Sequence, residues 1–302
     1  MYVPISKCMT FEKVNPFHAR YGRDDIPLPE QQPTAHITKL LTRRSVRRFS
    51  NRELPNGTLE LLVAAAQSAP TSGMLQTWSV ISLDQKAKEN FINALWETPG
   101  HAGILGGVDT ANYTAIGTSK IFLIWLADLS KLDFILQNNN IDEEIKYATN
   151  TAEYHLKAIV DATIAAQTFF GAAESMGISG TYIGAVRQLP IDFLKTYFNL
   201  PPHTFPLFAT VHGISAEAVT QGKNGVRWRM GQDLVLHHSK YTSITDNSQF
   251  DEYNRIHAEM QKGMPQSTVS GSFVSRVAER LKPTMAKARI GDSLKQMGFT
   301  FE

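Results

Sequence analysis

The chain has 302 residues, 42% of them apolar and 19% charged, which is enough to bury a core and unlike a disordered acidic or basic tail. Thirty Lys and Arg stand against 28 Asp and Glu, a formal charge of +2, so the chain cannot coat nucleic acid by bulk charge and any basic function is local. Length alone leaves one or two domains open, because about 150 residues per domain is a prior and not a count.

The single cysteine, Cys8, excludes an internal disulfide, a cysteine-based zinc site and an iron–sulfur cluster, and fits a reducing, cytoplasmic setting. Lys7, Glu12, Lys13, Asp24 and Asp25 interrupt the N-terminal stretch, which lacks the apolar region of a secretory signal. The longest apolar run, Ile121–Ala127, falls far short of the roughly 20 residues of a membrane span, so no membrane partner is expected.

In chain order, Pro4, Pro16, Pro27, Pro29 and Pro33 occur without any sustained period, which predicts an irregular arm over residues 1–40. After Pro55-Asn56-Gly57, Leu59, Leu62, Val63 and Ala66 recur at helical spacing, with Thr58 the expected cap and Pro70 the stop. Trp78–Leu83 alternates as a short strand, Gln85–Trp96 reads as a helix, and Ile121–Ala127 reads as a strand buried on both faces.

From about Asn150 to Met176 the pattern is helical, and Lys157 and Asp161 are the charges between Leu156 and Ala173. Ile159, Val160, Ile164, Phe169 and Phe170 do not fit one stripe, which predicts a helix in the middle of a core or in a subunit interface. Gly177 and Gly180 end it, Thr181–Val186 is extended, and Phe205–Ile214 is a further strand. A polar loop covers about 215–232, and 247–263 and 273–297 read as helical. Strands interleaved with helices argue for one mixed α and β domain over 41–302 with a C-terminal helical extension.

Four segments carry chemistry. Arg43-Arg44-Ser45-Val46-Arg47-Arg48-Phe49 places guanidinium groups beside a hydroxyl, which suits a phosphorylated ligand, although a solvated basic stretch has the same composition. Arg227 and Arg229 flank Trp228, and alternate residues of an extended segment share a side. Gly180-Thr181-Tyr182-Ile183-Gly184-Ala185-Val186-Arg187 has small residues that let a flat ligand approach the backbone, or a plain tight turn. Ala69-Pro70-Thr71-Ser72-Gly73-Met74-Leu75-Gln76 is a polar loop at a helix end. The sequence holds no Walker loop, no G-x-S-x-G and no H-E-x-x-H, and the adjacent His237 and His238 point apart, so no metal is expected.

In this order the four segments resemble the FMN-dependent nitroreductase family, most closely its oxygen-insensitive NADPH nitroreductase and NADPH-flavin oxidoreductase branch. Arg43-Arg44-Ser45-Val46-Arg47 is similar to the R/H-R-S-x-R/K element, Gly180–Arg187 to G-x-Y-I-G-G-x-R, and Leu200-Pro201 with Pro206-Leu207-Phe208 to L-P...P-L-F. The resemblance runs from about Thr42 to the C-terminus. It implies an α+β nitroreductase-like fold, with a central mixed, mostly antiparallel sheet flanked by helices, in a homodimer with a swapped C-terminal extension.

It also implies roles. Arg43 and Ser45 would hold the FMN phosphate with Arg44 alongside, and Arg227 and Arg229 would match a K-x-R pair there. Arg47 would lie at the N1 and O2 edge of the flavin. Thr71, Ser72 and Gln76 would match the loop that reaches the flavin, and Tyr182, Ile183, Gly184 and Ala185 the turn that packs on its ring. NADPH or NADH would be the co-substrate, and nitroaromatics, quinones or free flavin the small-molecule acceptors, served in a ping-pong cycle without a protein nucleophile.

Three departures stand out. The arm before Thr42 is longer than this branch usually carries, Ala185 replaces the second glycine of the turn, and no glutamine is read near Thr118. The loop that would grip the 2′-phosphate of NADPH falls near Lys262–Ser275, which is rich in Gly, Ser and Thr, so weak discrimination between nucleotides is expected. Two rival readings are a flavin-storing or sensing protein without turnover, and a nucleic-acid contact at Arg43–Arg48. The second lacks interleaved aromatic residues.

Overall fold

The computed structural model describes residues 15–23, 30–99, 104–105, 111–142, 145, 147–216, 225–262 and 271–299. Cys8 lies outside them. The chain divides into two compact units, one from Met1–Arg44 with Val219–Lys282 and one from Ser45–Ala218 with Pro283–Glu302.

The larger unit is built on a sheet of β1 (Trp78–Leu83), β2 (Ile121–Asp128), β3 (Ser179–Ile183) and β4 (Thr204–Gly213), in the order β1-β2-β4-β3. A mixed, mostly antiparallel sheet was the expectation, and every pairing among the described strands is antiparallel. The strand β2 is buried along its whole length because its period of two sends side chains to two cores. Ile121, Leu123 and Trp125 join Leu62, Ala66, Ala165 and Phe169 on one face. Phe122, Ile124 and Leu126 join Phe91, Leu95, Ile116 and Leu194 on the other. Helices Thr58–Gln67 and Ala152–Ser175 thus cover the first face, and Gln85–Trp96, Ala111–Thr118 and Ile191–Phe198 the second. The indole of Trp125 stays satisfied within the core by donating to Thr210 Oγ1 at 3.0 Å.

Local signals account for the boundaries. Asp84 caps the helix Gln85–Trp96 by accepting from the Ala87 N–H at 2.7 Å. Thr58 is the first helical residue, not the cap: Gly57 occupies that position at φ 78°, and the Thr58 hydroxyl donates back to the Pro55 carbonyl. The buried ammonium of Lys88 donates to the Ser119 carbonyl at 2.5 Å, closing the end of the helix Ala111–Thr118. The segment read as helical over 273–297 consists of Phe273–Leu281, Met285–Ala288 and Ile290–Gln296, since Pro283 cannot continue the first.

The long helix is not apolar in use all round. It buries His155, Ala158, Asp161, Ala162, Ala165, Ala166, Phe169 and Phe170 and leaves Leu156 and Val160 about half exposed, at 53% and 51%. The C-terminal segment packs on its own chain: Phe299 is fully buried against His155 and Phe205, and the His203 N–H donates to the Met297 carbonyl at 2.7 Å.

The smaller unit contains helices Pro16–Tyr21, Ala35–Thr42, Asp251–Lys262 and Phe273–Leu281. The first lies inside the arm expected to be irregular. Its cues are compressed into eight residues: Asn15 accepts from the Phe17 N–H, Pro16 opens the first turn and Gly22 closes the last at φ 69°. Among the described residues no helix is long and apolar enough to cross a membrane.

Candidate functional site

The candidate residues fall into two groups, one in each unit. In the larger unit the extended segment Ser45–Ser50 is tied to the sheet by main-chain bonds. The Val46 N–H donates to the Gly180 carbonyl at 3.0 Å, the Ser50 N–H to Ile214 at 2.8 Å, and the Ala216 N–H to Arg48 at 3.0 Å. Thr118, where no glutamine was read, accepts the Phe49 N–H on its hydroxyl. Val46 and Phe49 are buried, so Ser45 and Arg47 are held, half-buried, beside the start of the Gly180–Arg187 segment.

That segment is the strand β3 followed by a tight 3-10 turn, Gly184–Gln188, and not an extended run to Val186. Gly180 must be glycine, since a Cβ there would meet the Val211 carbonyl and the His212 ring at 2.6 Å. The ring of Tyr182 stacks on Phe170 at 5.0 Å and its hydroxyl donates to Gln167. Ile183 is buried in the core, which leaves the backbone and the small side chains of Gly184 and Ala185 half-buried at the turn. The Arg187 guanidinium folds back over Gly184 and donates to the Leu207 carbonyl at 3.2 Å.

The loop after Pro70 is organised by a residue outside the motif. Asp161, buried in the middle of the long helix, accepts from the Thr71 hydroxyl at 2.5 Å, the Thr77 hydroxyl at 2.9 Å, the Thr77 N–H at 3.2 Å and the Ser72 N–H at 3.3 Å. Thr71 in turn accepts from the Gln76 N–H at 2.9 Å. The Thr71 hydroxyl is therefore spent inside the loop, while Ser72 and Gln76 are exposed. Gly73, Met74 and Gln76 all have left-handed backbone, at φ 61°, 58° and 52°. For the two non-glycine residues this costs about 1–2 kcal/mol each, which the Asp161 bonds offset.

In the smaller unit Arg43, Arg44 and Arg227 are half-buried and Arg229 is exposed. Arg43 follows the helix Ala35–Thr42 in extended conformation. The loop 227–229 is held by Tyr253, whose hydroxyl donates to the Trp228 carbonyl at 3.2 Å, and by Met260, whose sulfur receives the Trp228 N–H. Burial raises the Tyr253 phenol, while the charges of Arg229 and Arg276 work to lower it. Burial likewise holds His257 below its ordinary range, opposed by the bond with the Gly271 carbonyl and helped by the charges of Arg276 and Arg227.

The donor chemistry fits an FMN: guanidiniums for a doubly charged phosphate, exposed hydroxyl and amide groups on a fixed loop, and a turn of small residues for a flat ring. The acid that holds the loop, Asp161 of the long helix, is occupied by donors from Thr71, Ser72 and Thr77. Among the described residues no group of His, Cys, Asp and Glu could hold a metal ion. The loop expected to meet the nucleotide lies outside the described residues over 263–270. Asp161 and Arg20 lie outside every motif read from the sequence. Asp161 carried one signal, a lone acid within an otherwise apolar helix face.

The family model described as Nitroreductase family matches residues 40–214, and that described as Nitroreductase family, C-terminal domain, matches residues 227–302. A CR(VI) reductase of Pseudomonas sp. (strain G-1) is 28% identical over 259 residues, covering 85% of this chain and 96% of its own. An FMN reductase (NADPH) of Bacillus subtilis (strain 168) is 25% identical over 269 residues, covering 87% and 97%. The solved NfrA1 nitroreductase of B. subtilis superposes with a TM-score of 0.73 at 22% identity, covering 88% of this chain and 100% of that one.

Proposed function

Because the chain belongs to the nitroreductase family, we propose that it is an FMN-dependent NAD(P)H oxidoreductase that passes two electrons to nitroaromatics, quinones or free flavin in a ping-pong cycle. The similar FMN reductase (NADPH) supports the cofactor and the co-substrate. The observation that carries the site is the bond from the Val46 N–H to the Gly180 carbonyl, which sets the arginine–serine segment against the start of the small-residue turn.

Bound FMN supplies hydride acceptance and two-electron donation, chemistry that needs no protein nucleophile. The protein binds and orients. Arg43, Arg44, Arg227 and Arg229 hold the phosphate with Ser45 as a neutral donor. Arg47 provides fixed positive charge at the edge of the ring where negative charge develops. Ser72 and Gln76 donate from the loop held by Asp161 and Thr71. The turn Ile183-Gly184-Ala185, backed by Tyr182, gives the ring a close backbone floor.

We propose a homodimer for the same reason. The helix Ala152–Ser175 presents Leu156 and Val160, and the neighbouring elements present Leu61 and Met74, all exposed in a single chain. Steady-state rates over a grid of NAD(P)H and quinone concentrations test the cycle. Parallel double-reciprocal lines are expected, and lines that converge at saturating flavin contradict it.

A further inference from the structure

The arm ahead of the family match carries a buried arginine whose three guanidinium nitrogens all donate to main-chain carbonyls. Arg20, 8% exposed, donates from Nε to the Leu41 carbonyl at 2.9 Å, from Nη1 to Arg227 at 3.0 Å, and from Nη2 to Leu40 at 3.2 Å and Arg43 at 2.9 Å. Its own carbonyl accepts the Arg229 N–H at 3.1 Å. One residue therefore fixes the backbone at Arg43, Arg227 and Arg229, which come from segments more than 180 residues apart. The arm is itself seated by Gly22, where a Cβ would run into the Trp228 ring at 2.3 Å. Family similarity begins at residue 40, so this brace lies upstream of it.

A phosphate gains most from several guanidiniums when their stems are fixed beforehand, since ordering long side chains on binding costs affinity. We propose that Arg20 is a positioning residue for phosphate recognition: it sets the spacing of the Arg43, Arg227 and Arg229 backbones, so the N-terminal arm tunes affinity for the phosphate end of FMN. The planar fork is needed, because an ammonium has no geometry to bridge four carbonyls in two segments. The inference rests on the FMN reading above.

The test compares FMN with riboflavin, which has the same ring and no phosphate, by fluorescence titration of the full-length chain freed of flavin. Wild type is expected to prefer FMN. In Arg20→Met and Arg20→Lys the FMN affinity should fall by about tenfold while riboflavin affinity stays within about twofold, and adding Arg43→Ala to Arg20→Met should cost less than the sum of the two. A preference for FMN that survives in the folded variants overturns the role of Arg20 and leaves the FMN reading intact. Equal loss of both flavins also overturns it, showing a general strut. If wild type itself binds riboflavin as tightly as FMN, the phosphate reading fails and this inference with it. Should Arg20→Met not fold, Arg20→Lys decides on the same ratio.

Discussion

The Thr71 hydroxyl donates to the Asp161 carboxylate at 2.5 Å, across 90 residues of sequence, and couples the candidate loop to the longest helix of the protein. The contact explains how three left-handed residues persist in an exposed loop: the loop cannot relax without stranding Thr71, Ser72 and Thr77 around a buried charge.

Replacing Asp161 should therefore cost more than a surface acid. Asp161→Ala leaves the buried Thr77 hydroxyl and N–H without their acceptor and is expected to lower stability by at least about 2 kcal/mol in denaturant unfolding. Hydrogen exchange at the Ser72 and Thr77 amides should accelerate with it. An unchanged unfolding midpoint with unchanged exchange would show that other contacts hold the loop.

Arg43→Ala and Arg229→Ala should each weaken FMN binding without unfolding the chain. Loss of one charge-assisted phosphate contact is worth roughly 1.5–3 kcal/mol, or one to two decades of affinity. Titration of both variants checks this, and unchanged affinity in both would return these residues to the solvated surface.

Stability should fall on mild acidification. Burial holds the His155 imidazole below its ordinary range, only partly opposed by a bond with the Thr149 backbone. An unfolded imidazole takes its proton near about pH 6.5, so the stabilising contribution is complete above that value and is lost as pH falls below it, at up to about 1.4 kcal/mol per pH unit. Because the His155 ring packs against that of Phe299 at 4.7 Å, the C-terminal segment should loosen first. Unfolding midpoints at neutral and mildly acidic pH decide it, and a His155→Phe variant should show the shallower decline.

Nucleotide discrimination should be modest. The segment between Lys262 and Arg276 carries no positive charge for a 2′-phosphate. One exposed cationic contact is worth about 1–2 kcal/mol at most after screening, so kcat/KM for NADPH over NADH should stay below roughly 100. A thousandfold preference at matched ionic strength would mean that Arg276 or another cation supplies what this segment lacks.

In solution the chain should run at twice its 33.6 kDa. Val160→Glu, on the exposed face of the long helix, should shift light scattering toward the monomer mass. A wild-type monomer at micromolar concentration would leave that apolar face without its proposed cover.

Much of the larger unit was legible because its signals are local. The alternation of Trp78–Leu83, the apolar run of Ile121–Ala127 and the helical reading of Gln85–Trp96 name their own structure. The helix Pro16–Tyr21 was hidden by brevity among prolines. Arg20 and Asp161 were hidden for a deeper reason: each is a charged residue whose partners, main-chain carbonyls in one case and a distant loop in the other, are brought near only by the fold. The motif arginines were readable as types, but nothing local tells which backbone braces them.

The most direct test of the flavoenzyme reading is the visible spectrum of the purified full-length protein, followed anaerobically as NADPH or NADH is added. The reading predicts a yellow protein with about one FMN per chain, released on denaturation, whose flavin band bleaches on adding either nucleotide and returns on adding a quinone. A colourless protein that takes up no added FMN would contradict it, and a yellow protein that neither nucleotide bleaches would leave a flavin binder without the activity.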